Sequence, residues 1–124
     1  MRLLLDTHVL LWWLADDPNL SRSASRAIAE ADRVVVSAAS AWEIGVKQAI
    51  GRLTGPDDLE GEMATNRFDA LAISVRHALH AAALPQLHSD PFDRMLVAQA
   101  QLETLTLVTA DQSILRYEVD LLAV

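Results

Sequence analysis

The chain has 124 residues, 52% of them hydrophobic, 22% charged and none cysteine, which suits one packed domain over residues 1–124 and excludes disulfide frameworks, thiolate zinc sites and a cysteine nucleophile together. A formal net charge of -7 argues against holding nucleic acid by bulk positive potential, and any metal must bind through oxygen or imidazole. The apolar start Met1-Arg2-Leu3-Leu4-Leu5 is cut short by Asp6 and His8, well below the roughly 20 residues of a bilayer span, so the expectation is a soluble, cytoplasmic protein without a membrane partner.

In chain order, Arg2 to Leu5 reads as a short buried strand ending at Asp6, and the stretch from His8 to Ala15 as a helix that Asp6 can cap. A second helix is expected over 22–31 behind Ser21, then a β-branched strand, Val34-Val35-Val36, ending at Ser37. Ser37 or Ser40 can start the helix expected over 38–50, and Gly55-Pro56 breaks the chain before another over 57–67. Leu71-Ala72-Ile73 is the third strand candidate, followed by a helix over 75–83 that Ser74 can cap. Asp90 and Pro91 form a cap and first-turn pair for a helix over 92–103. Leu105 to Thr109 is the fourth strand candidate, and Val119 to Val124 a closing edge strand. Strands alternating with helices require crossover connections and therefore a mainly parallel sheet covered on both faces, a three-layer α/β/α sandwich.

Ligands of open parallel sheets gather beyond the carboxyl ends of the strands. Asp6 follows the first strand, Glu43 lies early in the helix after the second, Asp93 opens a helix, and Asp111 follows the strand ending at Thr109. Carboxylates brought together repel one another unless a cation or protons relieve them, and magnesium or manganese is suited to an oxygen-rich set completed by water and substrate phosphate. Each acid has a plainer explanation: a helix cap for Asp6, a capping box with Ser40 for Glu43, a helix-dipole partner for Asp93, a turn for Asp111. Their joint placement favours the cation.

Thr7, Ser37 and Thr109 adjoin the same strand ends, where a hydroxyl can orient a ligand carboxylate or serve as an ordinary cap; Asp90 can support Asp93 or simply initiate a turn. His77 and His80 lack further ligands in sequence for a zinc set and read as surface or half-buried residues, while His8 and His88 lie near the acids. Lys47, the one lysine beside nine arginines, and Arg94 are the nearest cations for phosphate, although salt bridges are the commoner fate. Trp12, Trp13 and Trp42 read as core or interface anchors, with base stacking the minority reading.

Four segments together carry a resemblance: Leu-Leu-Asp-Thr-His at 4–8, Ser-Ala-Ala-Ser-Ala-Trp-Glu-Ile-Gly-Val-Lys at 37–47, Asp-Pro-Phe-Asp-Arg-Met-Leu-Val-Ala-Gln-Ala at 90–100 and Thr-Leu-Val-Thr-Ala-Asp at 106–111. In this order and spacing they resemble the motifs of the PIN-domain nucleases, in particular the VapC-like toxins of bacterial type II toxin–antitoxin pairs. The resemblance covers nearly the whole chain. It implies a compact α/β/α fold and Mg2+- or Mn2+-dependent hydrolysis of RNA phosphodiesters. It places Asp6, Glu43, Asp93 and Asp111 in the catalytic and metal-binding roles, with support from Thr109. It further implies a homodimer and silencing by a small VapB-like antitoxin.

Two other classes place acids at strand ends. A phosphatase with an aspartate nucleophile wants a second aspartate two residues after the first, where this chain has His8, and a phosphate-accepting receiver wants a lysine after a late strand, whereas the only lysine is Lys47. A non-catalytic protein-binding module of the same fold has no need of all four acids.

Overall fold

The computed structural model describes residues 1–124. Five strands carry the sheet: β1 (Arg2–Leu5), β2 (Arg33–Ser37), β3 (Asp69–Leu71), β4 (Thr106–Thr109) and β5 (Leu121–Ala123). Between them run α1 (Thr7–Leu14), α2 (Arg22–Glu30), α3 (Ala38–Ala49), α4 (Leu59–Thr65), α5 (Val75–Ala83) and α6 (Pro91–Glu103), with a 3-10 turn at Ile114–Arg116. No helix is long and apolar enough to cross a membrane.

All pairings are parallel, in the order β3-β2-β1-β4-β5. The period-2 geometry of strands divides the core between the two faces. Leu4, Val35 and Leu107 point to the layer of α5 and α6, where they meet Ala81, Leu96, Val97 and Ala100. Leu3, Leu5, Val34, Val36 and Val108 point the other way, against Val9, Leu10, Ile28 and Ile44. Leu3, Leu4 and Leu5 are fully buried, each contributing about 1.5–3 kcal/mol of apolar transfer. A strand sandwiched between helical layers therefore reads as a continuous apolar run rather than an alternating one.

The strand order fixes where a site can form. From β1 the chain steps outward through β2 and β3, then returns to lay β4 on the other side of β1. This makes β1 and β4 the topological switch point, and the loops leaving their carboxyl ends diverge to opposite faces and leave a crevice. Asp6 and Asp111 flank that crevice.

The elements differ from expectation mainly at the edge. The third strand lies at Asp69–Leu71, overlapping the Leu71-Ala72-Ile73 candidate only at Leu71. Its register is set by pairing Val35 with Asp69 and by an ion pair, Arg33 Nε to Asp69 Oδ2 at 2.8 Å. An edge strand needs few apolar residues, so the hydrophobic triplet marks it two positions late, and Ile73 is exposed. The fourth helix is also shorter than the 57–67 expectation, because Asp58 caps it by accepting from the Gly61 amide at 3.0 Å.

Candidate active site at the switch point

Asp6 is the N-cap of α1. Its Oδ1 accepts from the Val9 amide at 2.8 Å and its Oδ2 from the Thr109 hydroxyl at 2.5 Å. Capping and placement in the cluster are thus one role, since the extended backbone that caps α1 turns the second oxygen toward the end of β4. Asp6 is only 5% exposed, and burial pushes its carboxyl above the usual aspartate range, outweighing the Thr109 hydroxyl and the Val9 amide, which oppose it. Thr109 also accepts from the Asp111 amide at 3.0 Å, so one hydroxyl joins the ends of β1 and β4.

Glu43 is likewise buried, 2% exposed. The N-cap of α3 is Ser37, not Ser40, so the capping box considered for Glu43 is absent. Instead its Oε1 accepts from Thr7 Oγ1 at 2.6 Å and its Oε2 from Lys47 Nζ at 2.5 Å. The hydrogen bond to Glu43 holds the Lys47 ammonium above the ordinary lysine value, with Asp90 and Asp93 adding to the effect against partial burial.

Asp93 and Asp111 are more open, with side chains 18% and 36% accessible. Between them stands His88, its Nε2 2.8 Å from Asp93 Oδ2 and 3.5 Å from Asp111 Oδ2. One ligand atom from each of the three residues lies within 4.8 Å of the others. Asp93 is pushed up to about 6, chiefly by burial, with Asp90, Asp111 and Glu43 adding repulsion and the His88 contact opposing. The other oxygen of Asp111, Oδ1, accepts from the Ser113 amide at 2.8 Å.

The remaining candidates divide. Asp90 caps α6, accepting from the Phe92 and Asp93 amides at 2.8 and 3.2 Å, and its charge reaches both Asp93 and Lys47. Thr7 and Thr109 each hold a carboxylate. Ser37 does not: its hydroxyl donates to Gln99 Oε1 at 2.5 Å and accepts from the Ala39 amide. Arg94 is neither exposed nor ion-paired. It is buried and donates to the carbonyls of Ala81 and Leu84 at 2.9 and 3.1 Å, to Pro85 O at 2.9 Å and to Tyr117 Oη at 3.2 Å. The negative end of α5 attracts the guanidinium there.

His77 departs from the surface or half-buried expectation, being buried. Its Nδ1 accepts from the Ser74 amide at 3.1 Å at the start of α5, with Gln99 at 3.3 Å and Glu103 beside Nε2. His80 pairs with Gln101 at 2.7 Å. Trp42 is exposed and meets Phe92 edge-on with ring centroids 5.1 Å apart, immediately beside Glu43 and Asp93 in sequence, so it is no core anchor. His88, which the sequence places near the acids together with His8, has its ring between Asp93 and Asp111, a pairing the sequence does not specify. Its one signal is position, five residues before Asp93 in the loop that feeds the α6 cap.

The donor set suits a hard divalent cation. Four carboxylates from four elements converge, one is driven toward neutrality by burial and its neighbours, and the atoms of His88, Asp93 and Asp111 are close enough to share one ion. A recess of 810 Å³ between α3, α4 and β3 is lined by none of these acids.

The family model described as PIN domain matches residues 3–119. Ribonuclease VapC22 of Mycobacterium tuberculosis (strain ATCC 25618 / H37Rv) is 35% identical over 117 residues, covering 88% of this chain and 86% of that protein. Among solved structures, VapBC2 from Rickettsia felis, bound to a DNA fragment from its promoter, superposes with a TM-score of 0.73 at 15% identity, covering 99% of this chain and 98% of the other. A toxin–antitoxin complex from Klebsiella pneumoniae gives 0.67 at 22% identity, covering 98% and 97%. The three-layer parallel sandwich, the acids gathered at its switch point and the match across 3–119 agree, and the chain belongs to the PIN domain family.

Proposed function

We propose that this chain is a divalent-cation-dependent ribonuclease, formed as one domain, that acts as the toxin of a toxin–antitoxin pair. The observation that carries the reading is the convergence of Asp6, Glu43, Asp93 and Asp111 at the β1/β4 crevice, with the Asp93 carboxyl pushed up to about 6 by burial and by its neighbours. RNA as the substrate class draws on the ribonuclease relative, and the antitoxin partner on the toxin–antitoxin complexes of the same fold. A homodimer and a cytoplasmic setting belong to the same reading.

The four acids would hold Mg2+ or Mn2+. Bound there, such an ion supplies Lewis-acid polarisation of the scissile phosphate and lowers the pKa of a water. The chain's own residues do the positioning. Thr109 locks Asp6 in one rotamer while anchoring the Asp111 backbone. Thr7 fixes Glu43 from α1, and Lys47 neutralises it from one turn along α3. Asp90 starts α6 so that Asp93 points out of its first turn into the crevice.

The test is cleavage of RNA by the purified chain with Mg2+, with Mn2+ and with a chelator, beside Asp6→Asn and Asp93→Asn. Activity is expected to vanish on chelation and to fall by at least about a hundredfold in each variant, the size of effect that removal of one preorganised charge produces. Cleavage that survives chelation, or survives both substitutions, overturns the reading.

A further inference from the structure

The four acids offer only oxygen, yet the tightest group of potential ligand atoms contains a nitrogen. His88 Nε2 stands 2.8 Å from Asp93 Oδ2 and 3.5 Å from Asp111 Oδ2. Adjacent ligands of an octahedral cation with bonds of about 2.1 Å lie about 3 Å apart, and the two observed separations bracket that value. We propose that His88 is a direct nitrogen ligand of the catalytic cation, making the site one of mixed imidazole and carboxylate character that favours Mn2+ over Mg2+. The inference rests on the cation-dependent reading above and deepens it.

The position of His88 is built, not incidental. It lies in the loop between α5 and α6, and that loop is tied down at several points. Arg94 and the Tyr117 hydroxyl donate to Pro85 O at 2.9 and 3.1 Å, Arg116 donates to Leu87 O at 3.0 Å, and Leu87 packs on the core. Asp93 sits on the turn of α6 that the same Arg94 occupies, so the imidazole and its carboxylate partner are referred to one buried guanidinium. A loop that served only to connect two helices would not need three side chains bonded to its carbonyls.

The chemistry follows from ligand type. Mg2+ holds to oxygen ligands and near-ideal octahedra, whereas first-row transition ions gain from an imidazole nitrogen. Nε2 binds as the neutral ring's lone pair, with the ring proton on Nδ1. The hydrogen bond that Nε2 shares with Asp93 therefore occupies, with a proton, the place of the ion.

Electron spin-echo spectroscopy of the full chain loaded with Mn2+ detects 14N coupled directly to the metal, and calorimetry gives the Mn2+ and Mg2+ affinities. The wild type is expected to show one nitrogen. His88→Gln should lose that signal while still binding Mn2+ through the carboxylates, with the Mn2+ to Mg2+ affinity ratio falling on the order of tenfold. His88→Asp should also lack the nitrogen signal and shift the ratio toward Mg2+, which separates ligation from loop damage. His8→Gln should keep the signal. Mn2+ bound without nitrogen coupling, or coupling that persists in His88→Gln, overturns His88 as a ligand and leaves the cation-dependent reading standing. No Mn2+ binding at all overturns both.

Discussion

The two halves of the acidic cluster solve the same electrostatic problem differently. In the inner half, Asp6 and Glu43 are almost wholly buried, and each has both oxygens engaged by donors of the chain itself: the Thr109 hydroxyl and Val9 amide for one, Thr7 and Lys47 for the other. In the outer half, Asp93 and Asp111 are partly open and share a single imidazole. The inner half is structurally complete as it stands. The outer half is frustrated, and frustration of that kind is relieved by a cation. On the proposed reading, the inner pair sets the floor and shape of the site, while the outer pair supplies the unmet demand that a cation would relieve.

Three substitutions put this contrast at risk. The largest effect is expected for Arg94→Met, which removes the donors to Ala81, Leu84 and Pro85 and the packing of a buried side chain. It should cost about 3 kcal/mol of stability in denaturant unfolding and also weaken Mn2+ binding by displacing the 85–88 loop. Full stability with unchanged Mn2+ affinity would show that the loop is held elsewhere.

Asp93→Asn should act in the opposite direction on metal-free protein. A carboxyl with a folded value of about 6 holds its proton more tightly in the native than in the unfolded state. Its contribution is therefore most favourable below the ordinary aspartate value of 3.8 and is lost as pH rises through about 6. By pH 7 the ionised group costs about 2 kcal/mol, taking roughly 1.4 kcal/mol for each tenfold change in proton affinity and allowing for solvent screening at a partly open side chain. Thermal melting of the variant against wild type should therefore show a gain at pH 7 that disappears below pH 4, and added Mg2+ or Mn2+ should close the gap from the wild-type side. A large loss at pH 7 would instead make Asp93 a fold determinant like Asp6.

The smallest effect is expected for Thr109→Val, near-isosteric and confined to the inner half. Removing the hydroxyl leaves Asp6 Oδ2 without its donor in a buried setting, a loss of about 1–2 kcal/mol. Because that hydroxyl opposes burial, the Asp6 carboxyl should rise further in carboxylate 13C titration by NMR. An unmoved titration would mean the threonine does not hold Asp6.

How much of this is legible in sequence depends on how local the cause is. β1, β2 and β4 are, because strands buried on both faces are uninterrupted apolar runs, and the caps at Ser21, Ser74 and Asp90 are, because capping is a contact over two or three residues. β3 is displaced from its expected place, since its register is decided by Val35 and Arg33 across the sheet rather than by its own composition. Within the site, the four acids stand at strand ends and helix starts and can be found from topology. Three tertiary facts cannot. Arg94 looks like a free cation beside Asp93, but its fate is decided by the end of α5. Ser37 looks equivalent to Thr7 and Thr109, but Gln99, 62 residues away in sequence, claims its hydroxyl. His88 belongs to a loop whose position is written in Arg94, Arg116 and Tyr117.

The hydroxyl bridge from Thr109 to Asp6 spans 103 positions of chain, and it ties β4 to β1 across an interval that holds β2, β3 and all six helices. Contacts of such long sequence separation form late, because the loop they close must be ordered before they repay it. A chain emerging from its N-terminus would carry Asp6 and Glu43 early, but could not assemble the crevice until β4 was inserted beside β1. A fragment ending before Thr109 would therefore display the earlier acids on a sheet that has no crevice for them to line.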